Sequence, residues 1–338
     1  MKELRRLGLH LLLLILAATA AFVKSRPEEK TAKPLAQGEV ELWSGSVKDV
    51  TRVSYQDDRK VVTLVAKDDD AGRWYQGSVE GAGPRPTTPD LEKKDAGAPP
   101  PSMPVESSVF AAVEQAGTLV GSLAPLRAKR ALGEVGPDRL AAFGLDKPQG
   151  TLRVTLGGKT RELVFGAATP GDTDRYVRDG SSGLIYVLDN AFVRDLQSAD
   201  TRLPERKLHS WTAGEVEEAS VKAGGKERRL VRGGTEGRRF WADAATPDQN
   251  DETANNWLQK VDRLRPMTYF EALPEDASTV VRVDYRAKNK ALGFVELHRR
   301  VVDEKDEYIV TSEYMRMQAS VPASLGEQIA EDLASLVK

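Results

Sequence analysis

Over residues 140–208 the chain alternates apolar and polar side chains: Leu152, Val154 and Leu156 against Arg153 and Thr155, then Leu163 and Phe165 against Glu162. A period of two places every second side chain on one face, the pattern of a half-buried strand. Gly157-Gly158 between the two runs suits a two-residue hairpin turn, and glycines and aspartates near 171–174 and 179–183 supply two more turns. The reading is an antiparallel four-stranded meander over 151–156, 160–165, 175–178 and 184–188. A short helix before Phe143, opened by Pro137 and stopped by Gly144, precedes it, and a helix with Phe192, Val193 and Leu196 on one face closes it.

The same order returns later in weaker form. Val216 to Lys222 and Arg228 to Arg232 answer a hairpin at 47–55 and 60–66, and Arg239-Phe240-Trp241 stands where Arg73-Trp74-Tyr75 stands. A helix over 251–264, with Trp257, Leu258, Val261 and Leu264 on its face, answers one expected from Ser107 or Ser108 onward, with Val109, Phe110, Val113, Ala116 and Val120 buried. Four strands and a last helix follow, Ser324 and Glu327 being spaced as a capping box. The expected fold class is α+β: two pseudo-repeated units, each a β-hairpin group, a helix, a four-stranded antiparallel meander and a closing helix, behind one N-terminal transmembrane helix. The expected divisions are 1–26 anchor, 27–40 linker, 41–210 first unit and 211–338 second unit. The first unit carries a Pro-rich insertion at 81–104, whose composition cannot bury enough apolar surface to offset ordering.

Lys2, Arg5 and Arg6 precede an uncharged run over 7–23 that includes Leu7, Leu11, Leu14, Ile15 and Phe22. A helix of that length is at the short limit for spanning a bilayer, and the preceding positive charge puts its N-terminus in the cytoplasm and the body outside. Ala18-Thr19-Ala20 also fits a signal-peptidase site, so cleavage near Ala20 is the alternative. Basic and acidic residues, 49 against 51, nearly cancel, which leaves no net field to draw nucleic acid. The chain has no cysteine, which removes disulfides and thiolate chemistry.

No motif announces catalysis, and the expectation is a protein that is not an enzyme and takes no cofactor. Gly157-Gly158-Lys159-Thr160 resembles the end of a phosphate-binding loop, but Arg153 stands where its first glycine belongs. Asp248-Gln249-Asn250-Asp251-Glu252 has alternate oxygen ligands, but Thr253 and Gln259 stand where a calcium loop needs Gly and Glu. His209 and His298 lack the close spacing of a zinc helix. Trp74, Tyr75, Phe240 and Trp241 are the candidate ligand or partner surface, with a glycan or small-ligand binder as one alternative and a hydrolase using paired carboxylates as another.

Phe143-Gly144-Leu145-Asp146-Lys147-Pro148, Leu163 to Gly166, Asp174-Arg175-Tyr176-Val177-Arg178, Ile185-Tyr186-Val187-Leu188-Asp189 and the segment from Leu203 to Leu208 together resemble the family termed domain of unknown function 4340. So do the basic apolar N-terminus and Gly72-Arg73-Trp74. The resemblance covers roughly residues 40 to 210, with a weaker continuation. It implies a membrane-anchored envelope protein of the inner membrane, single-pass, with a periplasmic body and an ABC-type transport component as partner. It supplies no catalytic residues.

Overall fold

The structure is a computed structural model, and it describes residues 35–81, 107–235, 237–288 and 290–337. The expected anchor, with Leu7, Leu11, Leu14, Ile15 and Phe22, and nearly all of the Pro-rich insertion lie outside the described residues. Among the described residues no helix is long and apolar enough to cross a membrane. The chain divides into two units, residues 1–39 and 40–338; the second is the body described here.

The body is α+β, and every paired strand runs antiparallel to its neighbours. Its first half comprises β1 (Val40–Trp43), β2 (Val50–Gln56), β3 (Lys60–Asp69), β4 (Gly72–Gly81), β5 (Ser107–Ala112), helix α1 (Glu114–Leu123), β6 (Leu126–Ala128), β7 (Arg130–Gly133), β8 (Gly150–Leu156), β9 (Lys159–Ala168), β10 (Asp174–Asp179), β11 (Ile185–Asp189), α2 (Ala191–Gln197) and α3 (Ala199–Arg202). The second half comprises β12 (Glu218–Ala223), β13 (Lys226–Thr235), β14 (Arg238–Asp243), α4 (Glu252–Asp262), β15 (Tyr269–Phe270), β16 (Ser278–Ala287), β17 (Lys290–Val302), β18 (Lys305–Ser312), β19 (Gln318–Val321) and α5 (Ala323–Leu336). One sheet has the order β5-β4-β3-β2-β8-β9-β10-β11-β7 and the other β14-β13-β12-β16-β17-β18-β19-β15, while β1 pairs with β6 alone.

The expected meander is present, with Gly157-Gly158 linking β8 to β9 and Leu156 paired to Lys159. Both glycines have positive φ, 54° and 75°, which the primed hairpin turns require. Alternation sends Val53, Tyr55, Leu64, Leu152, Val154, Leu163 and Phe165 to one face, where α1 and α2 cover them in a core that continues into the second sheet. The opposite face at β9 and β11 is covered too. There Leu145, Val164 and Ile185 form a second cluster beneath Leu140 and Phe143, carried by the 3-10 helix Pro137–Phe143 that Gly144 stops.

Two expectations are corrected. The helix expected from Ser107 begins instead at Glu114, because 107–112 pairs with β4 from Glu80↔Ser107 to Tyr75↔Ala112. The Phe110 ring occupies the space a side chain at Gly77 would need, since a Cβ there would stand 2.2 Å from it. The last helix begins at Ala323 behind Pro322, with no side-chain cap bond from Ser324. By contrast Asp251 caps α4, accepting from Ala254 N at 2.9 Å.

Candidate functional site

The segment 203–212 leaves the first half and enters the second, and it joins two polar clusters. Its first part is anchored by Glu205, which is only 4% exposed. One carboxylate oxygen accepts from Arg206 N at 3.0 Å and Lys207 N at 2.9 Å, and the other lies 3.5 Å from Glu114 N, the first residue of α1. Its backbone is held as well: N donates to Ala111 O and O accepts from the Tyr269 hydroxyl at 2.6 Å. Arg206 donates to Pro266 O, and Lys207 pairs with Glu114. A buried charge is tolerated only when satisfied in this way. Tyr314 sits beside it, its hydroxyl pKa pushed up to about 12 by burial and then by Glu205 and Glu114.

The second part of the segment docks by stacking. His209 lies on Trp211 with ring centroids 3.9 Å apart and planes 21° apart, and both rings meet Tyr285 of β16, at 5.3 and 4.8 Å. His209 Nδ1 is 3.4 Å from Glu313. Glu313 in turn accepts from Phe294 N at 2.6 Å and lies over Gly293, where a Cβ would stand 2.1 Å from its carboxyl carbon. Arg232 of β13 rests over Trp241 at 4.1 Å. Four buried polar atoms of this group have no partner among the described residues: His209 Nε2, Trp211 Nε1, Arg232 Nε and the Tyr285 hydroxyl. Burial pushes Tyr285 well above the ordinary phenol range, reinforced by Asp262 and Glu313. It lowers Arg232 and raises Asp262, which keeps surface at the end of α4 yet is desolvated beside His209 and Arg232.

Leu203 to Leu208 of the family resemblance lies in this segment, whereas Phe143, Gly166 and Tyr176 converge elsewhere, around Arg175 of β10, which is 7% exposed. Its guanidinium donates to Asn190 Oδ1 at 3.1 Å, to Gln149 Oε1 and toward Gly166 O at 3.4 Å. Phe143 meets Tyr176 edge to face at 5.0 Å, and a Cβ at Gly166 would stand 2.2 Å from Phe143 O. This node ties the Phe-Gly-Leu-Asp segment to the sheet; its polar groups are spent on one another.

Of the four candidate aromatics, Tyr75 and Trp241 are core residues, 2% and 5% exposed, and only Trp74 and Phe240 are half-buried. They occupy β4 and β14, which lie in different sheets. His298 lies buried in β17 between Thr279 and Thr311. Among the described residues no group of His, Cys, Asp and Glu is arranged to hold a metal ion. The junction cluster escaped sequence reasoning because His209-Ser210-Trp211 has no periodicity; two aromatic rings one residue apart in a polar connector were its only mark.

No curated protein and no solved structure matches the chain. A family model described as Domain of unknown function (DUF4340) matches residues 106–284. The match therefore starts later than the resemblance read from the sequence and runs well into the second sheet, through the junction to Asp284 of β16. It spans more than half of the 338 residues, and the chain belongs to this family of domains of unknown function, DUF4340.

Proposed function

We propose that this protein is a membrane-tethered accessory subunit whose body stands outside the cytoplasmic membrane and binds another envelope protein, an ABC-type transport component by family analogy. The observation that carries this reading is the N-terminus, where Lys2, Arg5 and Arg6 precede the uncharged run 7–23. On the outer face of the second sheet, cross-strand ion pairs such as Lys222–Asp284 at 2.8 Å and Arg282–Glu296 at 3.4 Å form a charged surface suited to a polar protein contact.

The body is best read as two copies of one unit. The order β4-β3-β2-β8-β9-β10-β11-β7 has the same sequence of connections as β14-β13-β12-β16-β17-β18-β19-β15. A capping box, Ser46 with Asp49 and Thr212 with Glu215, precedes the first of these strands in each; one helix lies between β4 and β7, where β5 and β6 are added, and one between β14 and β15.

Affinity capture of the full chain from detergent-solubilised membranes, followed by mass spectrometry, tests the partner; transport components enriched over a mock capture are expected. Recovery of no membrane protein under several mild detergents counts against the reading. A reporter active only outside the cytoplasm, fused after Lys338, should be active, and its silence overturns the topology. The mass of the mature N-terminus distinguishes a retained anchor from cleavage near Ala20.

A further inference from the structure

We propose that residues 209–212 form a latch that releases locally from the second sheet while the Glu205 part of the same segment, with the core residue Leu208, stays fixed. The two parts, a few residues apart, are satisfied to opposite degrees. Around Glu205, three backbone N–H groups point at the carboxylate and both backbone groups of the residue are bonded. Around His209 and Trp211 the docking is by ring contact, and it leaves His209 Nε2, Trp211 Nε1, Arg232 Nε and the Tyr285 hydroxyl buried without partners among the described residues. These four are half of the eight such side-chain atoms among the described residues. A buried polar group without a partner opposes the closed state, because opening returns it to water. The stacked rings oppose opening through buried aromatic area and the contact of His209 with Glu313. The two contributions oppose each other within one short segment, the arrangement in which a local element can switch.

The other tryptophans provide an internal control. Trp43 Nε1 donates to Leu123 O at 2.7 Å and Trp257 Nε1 to Ile329 O at 3.0 Å, so two buried indoles are fully bonded where Trp211 is not.

The test is fluorine NMR of the full chain in detergent with its five tryptophans replaced by 5-fluorotryptophan, Trp211 being assigned by its loss in Trp211→Phe. The Trp211 signal should show exchange broadening and a solvent isotope shift that the Trp43 and Trp257 signals lack. Tyr285→Phe removes one unpartnered hydroxyl and keeps the ring contacts; it should sharpen the Trp211 signal and move the open-to-closed ratio about five-fold toward closed, the change that about 1 kcal/mol produces. A wild-type Trp211 signal as narrow and as shielded as that of Trp257 overturns the proposal. So does a Tyr285→Phe variant in which the signal broadens further, since the hydroxyl would then be holding the latch shut through a partner of its own.

Discussion

The side-chain amide of Asn255 holds both backbone groups of Trp241: Trp241 N donates to Asn255 Oδ1 at 2.9 Å, and Asn255 Nδ2 donates to Trp241 O at 3.1 Å. A side chain from α4 thus takes the place of a neighbouring strand along β14, the edge of the second sheet. In the first sheet the corresponding edge of β4 is covered by a real strand, β5. Unpaired edges invite association with other chains, and Asn255 closes this one at the buried Trp241. Asn255→Leu should lower stability by about 1–2 kcal/mol, chiefly from the unsatisfied Trp241 N it leaves, since Trp241 O keeps its bond from Asp251 N at 2.9 Å. Urea denaturation measures the loss, and sedimentation should show increased self-association.

Acid should weaken the second sheet through His298. The ring lies between Thr279 Oγ1, 3.2 Å from Nδ1, and Thr311 Oγ1, 3.4 Å from Nε2. Burial holds its pKa below the ordinary histidine value, and Glu296 offsets part of that effect. The unfolded chain therefore takes up a proton at higher pH than the folded one, so stability declines as pH falls from the ordinary value, about 6.5, through the depressed folded value, and levels off below it. His298→Gln should flatten this dependence. Urea midpoints across that pH range decide the matter, and equal slopes in the two proteins would refute the assignment.

Glu205→Gln should cost about 2 kcal/mol, because an amide retains one acceptor oxygen but sets its own N–H groups against backbone donors. The same change should bring the Tyr314 hydroxyl down from about 12, since Glu205 is one of the causes that raise it. Alkaline difference absorption at the tyrosinate band reads this directly, and an unmoved titration in a folded variant would separate Tyr314 from Glu205.

Gly166→Ala tests the Arg175 node, where the Phe143–Pro148 segment meets the sheet. The added methyl carbon would meet Phe143 O at 2.2 Å and Leu145 at 3.0 Å, so the 3-10 helix must move off the sheet. A loss of about 1–3 kcal/mol is expected for such overpacking, while Gly183→Ala, in an open turn with positive φ of 73° and nothing within 4 Å, should cost less. Comparing the two melting curves distinguishes a clash from simple backbone strain.

Much of this fold was legible residue by residue. Leu152, Val154, Leu163 and Phe165 alternate over enough positions to define a period, and Trp257, Leu258 and Val261 repeat at helical spacing behind a capping Asp251. Local rules suffice there, because the backbone preference and the buried face agree. Ser107–Ala112 misled for the opposite reason: Val109, Phe110 and Val113 fit a helical face, but the open edge of β4 offered six paired positions and Gly77 offered room for Phe110. Strands as short as β15 and β7 exist only because a distant partner, β19 or β11, supplies their hydrogen bonds.

The sequence by itself determined the antiparallel α+β character, the Gly157-Gly158 hairpin and the charge pattern of the N-terminal run, since each follows from local periodicity, turn chemistry or hydropathy. Only the tertiary structure decided that Tyr75 and Trp241 are core residues, that Arg175 is spent on Asn190 and Gln149, and that His209 and Trp211 close over Tyr285. Burial and pairing of a polar or aromatic side chain depend on which strand or helix arrives opposite it, and those neighbours lie tens to hundreds of residues away in the chain.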